Sequence, residues 1–183
     1  NNPTGHVMGA DEIEGIAALA RKHDLWVVAD EVYSTLTFER PHLSIAALPG
    51  MAERTATVSS LSKSHAMTGW RAGWVIGPTQ LIDHIYNLAL AMLYGLPGFI
   101  QEAALVAITK AHGEAGEMRD IYRRRRDLVV HGLAGINSIS CRPPQGGMFM
   151  MIDVSRSGLT AKEFAWKLYE ATGSKAADWD LYE

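Results

Sequence analysis

The feature that most constrains the fold is a short apolar run, Leu25-Trp26-Val27-Val28-Ala29, lying between a helical pattern and a pair of carboxylates, Asp30-Glu31. In the preceding stretch, residues 11–23, Ile13, Ile16, Ala17 and Ala20 recur at helical spacing. Gly9 suits the N-cap, and Glu12 sits in the first turn. A continuous apolar run fed by a helix suits a parallel strand covered on both faces, and so predicts an α/β fold. The strand stops at Asp30, with Tyr33 three residues on. Carboxylates beyond a strand's C-terminal end lie where open α/β sheets bind ligands. From the residues alone, a helix-capping Asp30 with Tyr33 packed nearby serves equally well.

A second stretch carries more chemistry. Ser60-Leu61-Ser62-Lys63-Ser64-His65-Ala66-Met67-Thr68-Gly69-Trp70-Arg71-Ala72-Gly73 lies between two predicted strands, 55–59 and 74–77. Burial lowers an ammonium's pKa, and a neutral amine is a nucleophile toward aldehydes. The arginine and the hydroxyls suit a phosphate. A lysine loop of this composition therefore suits an aldehyde that carries a phosphate. Taken alone, Ser60-x-x-Lys63 is equally a loop with a surface lysine.

The 14-residue stretch resembles the lysine signature of the class I/II aminotransferases, pyridoxal-phosphate (PLP) enzymes of fold type I. Two further motifs come in the same order as in that family. Asn1-Asn2-Pro3-Thr4-Gly5 carries its Asn-Pro-Thr-Gly, and Asp30-Glu31-Val32-Tyr33 its Asp-x-x-Tyr. The resemblance implies an imine between PLP and Lys63, the catalytic residue, whose freed amine then moves the proton from the substrate's Cα. It implies that Asp30 pairs with the pyridine nitrogen, and that Asn2 and Tyr33 donate to the phenolic oxygen. Arg71, Ser60 and Ser62 are implied at the phosphate. The implied reaction is transamination between an L-amino acid and a 2-oxo acid. A PLP-dependent lyase on the same scaffold is the alternative, as is a non-catalytic aminotransferase-like sensor domain of a transcription regulator. Within the family, the stretch is similar to the bacterial arginine–pyruvate transaminases. No residue here is identifiable as the grip on a guanidinium.

The resemblance also implies architecture. Residues 1–115 correspond to part of the large, mostly parallel, PLP-binding domain, and 116–183 to part of a smaller α+β domain. Helices are expected over about 78–93, 99–111, 114–133 and 160–171, the last with Thr160 and Glu163 as a capping box. Strands at 138–141 and 148–152 form a predicted hairpin around Pro144 to Gly147. Residues 34–54 form a turn-rich connection in which Arg40 and His42 are expected to be solvated. The four arginines 123–126 point in four helical directions and read as a solvated or partner-facing helix. Cys141 reads as inert packing.

Composition closes off other classes. The 183 residues are 48% hydrophobic with a net charge of -3, from 17 Lys+Arg against 20 Asp+Glu, so a core is expected and a nucleic-acid footprint is not. No run suits a bilayer span. A single cysteine allows no internal disulfide, in keeping with a reducing cytoplasm. No metal site is expected. The chain opens on Asn1 directly inside a motif and reads as a piece of a longer protein, a homodimer when full length. The family's N-terminal segment and its later carboxylate-binding arginine are not matched, so this stretch by itself is not expected to be a competent transaminase. Residues 174–183 match nothing in the family and have no functional reading.

Overall fold

The structure is a computed structural model, describing residues 1–110 and 113–173. The tail at 174–183, which had no functional reading in the sequence, lies outside the described residues. Helix α1 (Ala10–Lys22) feeds strand β1 (Val27–Asp30), which pairs in parallel with β2 (Thr55–Ser60). Strand β2 runs straight into a one-turn helix, α2 (Leu61–Ser64), and pairs antiparallel with β3 (Gly73–Ile76). The described sheet is thus one parallel and one antiparallel pair, in the order β1-β2-β3. Helices α3 (Thr79–Leu93), α4 (Gly98–Lys110) and α5 (Glu114–Leu133) follow. A two-stranded antiparallel pair, β4 (Ser140–Cys141) and β5 (Ile152–Asp153), and helix α6 (Ala161–Thr172) complete the fold. Among the described residues, no helix is long and apolar enough to cross a membrane.

The core is built where the sequence pattern is clearest. Ile13, Ala17 and Ala20 of α1 bury themselves against Ile45 and Met51, with Val27 and Ala29 of β1 packed beside them. Each fully buried large side chain, such as Met51, contributes about 1.5–3 kcal/mol. A second cluster joins Leu61 of α2 and Ala72 to Ala107 of α4. This seats the one-turn helix that carries Lys63.

Local signals were obeyed closely. The Thr160 hydroxyl accepts from the Glu163 amide at 3.3 Å, and the Glu163 carboxylate accepts from the Thr160 amide at 2.9 Å, closing the capping box. At α1 the Gly9 amide donates to Glu12 at 2.8 Å. These backbone donors, with the neighbouring His6 at Glu12 and the Thr160 hydroxyl at Glu163, hold both carboxyls below their ordinary pKa.

Three expectations need correction. Strand β1 is covered on one face only: Val27 and Ala29 meet the core, while Val28 is 75% exposed. The hairpin is shorter than 138–141 with 148–152, since the ladder begins only at Ile152 opposite Cys141. The 144–147 turn is held by other partners: Gln145 and Gly146 amides donate to the Gly5 carbonyl at 2.9 and 3.0 Å, and the Gly147 amide to Leu36 at 2.7 Å. The arginine run is not uniformly solvated either. Arg123, Arg124 and Arg125 are exposed, but Arg126 stacks over Phe38 at 4.9 Å, pairs with Glu39 and donates to the Pro144 carbonyl at 2.8 Å.

Gly5 is where this arrangement admits no side chain. Its φ is +67°, and a Cβ built there lies 2.2 Å from the Pro144 Cβ. Gly5→Ala is expected to destabilise by about 2–4 kcal/mol, a left-handed penalty added to overpacking. Urea unfolding of the two proteins checks this, and a loss below about 0.5 kcal/mol would show that the turn shifts freely.

Candidate active site

The site lies at the C-terminal ends of β1 and β2. In the parallel register Asp30 stands opposite Val58, and the Glu31 amide donates to the Val58 carbonyl at 2.8 Å. Strand alternation puts Asp30 on the face away from α1, because Val27 and Ala29 occupy the α1 side. Ser60 is two residues beyond Val58, so it shares that face and that end. One Asp30 oxygen accepts from the Val32 amide at 3.1 Å, which turns the chain after the strand. Among the described residues no hydrogen bond engages the other oxygen.

Asn2, Asp30 and Tyr33 line a single cleft of 360 Å³, together with His6, Glu31 and His42 among others. The turn after β1 brings Tyr33 into it: Ser34 and Leu36 amides donate to the Glu31 and Tyr33 carbonyls, each at 2.9 Å. The Tyr33 ring meets Phe149 edge-on at 6.2 Å between centroids. Burial pushes the Tyr33 phenol up, and the Asp30 charge and Tyr122 push the same way. The phenol is therefore a hydrogen-bond donor at neutral pH.

Lys63, Ser60, Ser62 and Arg71 are not among the residues that line this cleft. They lie at the end of β2 and on the loop that leaves it. Ser60 caps α2, its Oγ accepting from the Ser62 amide at 3.2 Å. That leaves the Ser60 hydroxyl hydrogen available to an acceptor. Lys63 occupies the third position of the one-turn helix and is half-buried. Arg71 closes the loop: the Leu61 amide donates to Ala72 at 3.2 Å, and Gly73 pairs with Ser60. Arg71 spends one guanidinium nitrogen on the Thr68 carbonyl at 2.9 Å. Both Ala66 and Arg71 hold left-handed backbone, with φ of 52° and 53°. Such strain in non-glycine residues costs about 1–2 kcal/mol each and concentrates at ligand sites.

His42 was read from the sequence as solvated. It is exposed, as expected, and its Nε2 lies 3.1 Å from the Glu31 carboxylate at the cleft. No spacing signal links residues 31 and 42, because the intervening loop alone brings them together. Arg40 is exposed, as expected. Among the described residues no cluster of three or more His, Cys, Asp or Glu side chains could hold a metal ion.

Residues 1–174 match the family model for aminotransferase class I and II. The chain belongs to that family. As a class I and II aminotransferase sequence it is 52% identical over 173 residues to arginine–pyruvate transaminase AruH of Pseudomonas aeruginosa, covering 94% of this chain and 44% of that protein. It is 41% identical over 160 residues to aspartate aminotransferase of Musicola paradisiaca, covering 87% and 40%. Among solved structures, it matches N-succinyldiaminopimelate aminotransferase of Mycobacterium tuberculosis with a TM-score of 0.88 and 33% identity, covering 97% of this chain and 49% of that one. The aromatic aminotransferase of Pyrococcus horikoshii matches with a TM-score of 0.87 and 37% identity, covering 92% and 46%. The α/β fold is that of the PLP-dependent aminotransferases. This aminotransferase chain spans less than half the length of the curated relatives it matches.

Proposed function

We propose that this chain supplies the cofactor-holding and proton-moving groups of a PLP-dependent aminotransferase acting on an L-amino acid and a 2-oxo acid. The observation that carries the reading is the convergence of an amide, a carboxylate and a phenol, Asn2, Asp30 and Tyr33, on one cleft. Lys63 stands just past the strand paired in parallel with the strand of Asp30. This donor set fits PLP. It offers an anion for a ring nitrogen, two donors for a phenolate oxygen, and a guanidinium with hydroxyls for a phosphate.

When bound, the cofactor supplies an electron sink for the charge left on the substrate's Cα. Lys63 would hold the cofactor at its aldehyde end, and its amine is the base that would take the proton from Cα. Asp30 keeps the proton on the pyridine nitrogen by charge pairing. Asn2 and the neutral Tyr33 phenol donate to the phenolic oxygen. The guanidinium nitrogens that Arg71 does not spend on Thr68 are suited to phosphate, with Ser60 and Ser62 adding short donors. Residues 1–115 then belong to the large domain and 116–183 to the small one. The full-length protein is a cytoplasmic homodimer on this reading.

The similarity to AruH makes arginine and pyruvate the first pair to assay, with aspartate and 2-oxoglutarate second. The full-length gene product with PLP is expected to convert one amino acid to its 2-oxo acid while aminating the other, one for one. Ammonia released in place of the second amino acid would replace transamination with a lyase reaction.

A further inference from the structure

We infer that Gln145 is a positioning residue, whose side chain clasps the Asn2 segment to the loop that carries Tyr33. The inference rests on the proposed function and deepens it. Asn2 and Tyr33 belong to separate segments of chain, 1–7 and 31–38, and no strand pairs them directly. Both segments are instead tied to the 144–147 turn. The Gln145 amide donates to the Gly5 carbonyl at 2.9 Å, and the Phe38 amide donates to the Gln145 carbonyl at 2.8 Å. The side chain adds a third tie, its Oε1 accepting from the Val7 amide at 3.1 Å. Val7 is a buried residue, so its amide has little water to fall back on. Around these bonds the turn is packed without slack. Thr37 and Gly146 form a bridge, and a Cβ on Gly146 would lie 2.7 Å from the Leu36 carbonyl oxygen.

Two of the three ties use backbone and survive any substitution at 145 except proline. Only the side-chain tie can be removed by mutation, and that makes it testable. Loss of the Oε1 acceptor leaves the Val7 amide unpaired and removes one tie on the segment of Asn2, which the Gln145 and Gly146 amides still hold at Gly5. The loop of Tyr33 stays in place through Phe38. The predicted defect is then in the relative placement of Asn2 and Tyr33, the two donors assigned to the same oxygen. It does not touch Lys63 or Asp30.

The experiment compares wild type, Gln145→Leu and Gln145→Glu as full-length protein. Glutamate keeps an oxygen that accepts from Val7, and leucine keeps only the volume. Hydrogen exchange at the Val7 amide is expected to quicken about tenfold or more in Gln145→Leu, and to stay near wild type in Gln145→Glu. PLP titrations are expected to show about tenfold weaker binding and a shifted visible absorption band in Gln145→Leu only. Unchanged Val7 exchange in Gln145→Leu overturns the clasp. So does faster exchange with wild-type PLP affinity and spectrum, which would make the tie structural alone. If Gln145→Glu fails as badly as Gln145→Leu, the acceptor role is overturned as well. A wild-type protein that forms no borohydride-fixed adduct on Lys63 would sink the proposed function, and the Val7 exchange would still decide the clasp.

Discussion

Lys63→Ala in the full-length protein is expected to lower kcat by about 10⁴-fold or more, because on the proposed function one substitution removes both the covalent anchor and the general base. Borohydride reduction followed by peptide mapping is expected to place a pyridoxyl group on Lys63 in wild type and nowhere in the variant. The expectation grows from the local fold. Strand β2 delivers the lysine through a one-turn helix whose cap, Ser60, is fixed by its own hydroxyl and by pairing with Gly73. Leu61 anchors that turn in the core, 1% exposed. A pyridoxyl adduct on another lysine, or turnover within about tenfold of wild type, would remove Lys63 from the reaction.

Asp30→Ala is expected to separate attachment from turnover. The adduct on Lys63 should still form, since the alanine variant leaves the β2 loop untouched. Turnover should fall by about 10–10³-fold, the effect of removing a charge partner that shifts its neighbour by roughly 1–3 pKa units. Stopped-flow spectra of the first half-reaction, with amino acid and no oxo acid, check it. A first half-reaction at near wild-type rate would show that the ring nitrogen does not depend on Asp30.

The parts of this fold that were legible in the sequence are those decided by near neighbours. The helix of residues 11–23 and the Thr160–Glu163 box rest on contacts three or four residues apart. The placement of Asp30 at a strand end was also readable, because a change from apolar to charged residues marks the boundary. What escaped the sequence was decided by contacts far along the chain. Arg126 looks like its three neighbours in the sequence, yet Phe38, Glu39 and Pro144 enclose it. His42 looks like a loop histidine until the chain folds it against Glu31. The apolar run 148–152 reads as a strand, but the tight turn before it consumes the pairing, and only Ile152 joins the ladder. Asn2, Asp30 and Tyr33 were singled out by motif. That they share one cleft is what the resemblance implies, and the register of β1 with the ties of the 144–147 turn show how the chain brings them there.

The close approach of Gly5 to Pro144 has a consequence for how such a chain can vary. Residue 5 needs left-handed backbone and has no room for a β-carbon, while the ring of residue 144 fills the space that carbon would take. The two positions are therefore epistatic. A side chain at residue 5 is ruinous beside residue 144, and trimming 144 as far as alanine keeps the Cβ that clashes, while the Gly146 carbonyl oxygen 2.9 Å away and the backbone demand remain in any case. Non-additivity of this kind is expected for groups in direct contact. Single-step drift would leave the pair frozen, while the exposed positions of α5 around it remain free to change.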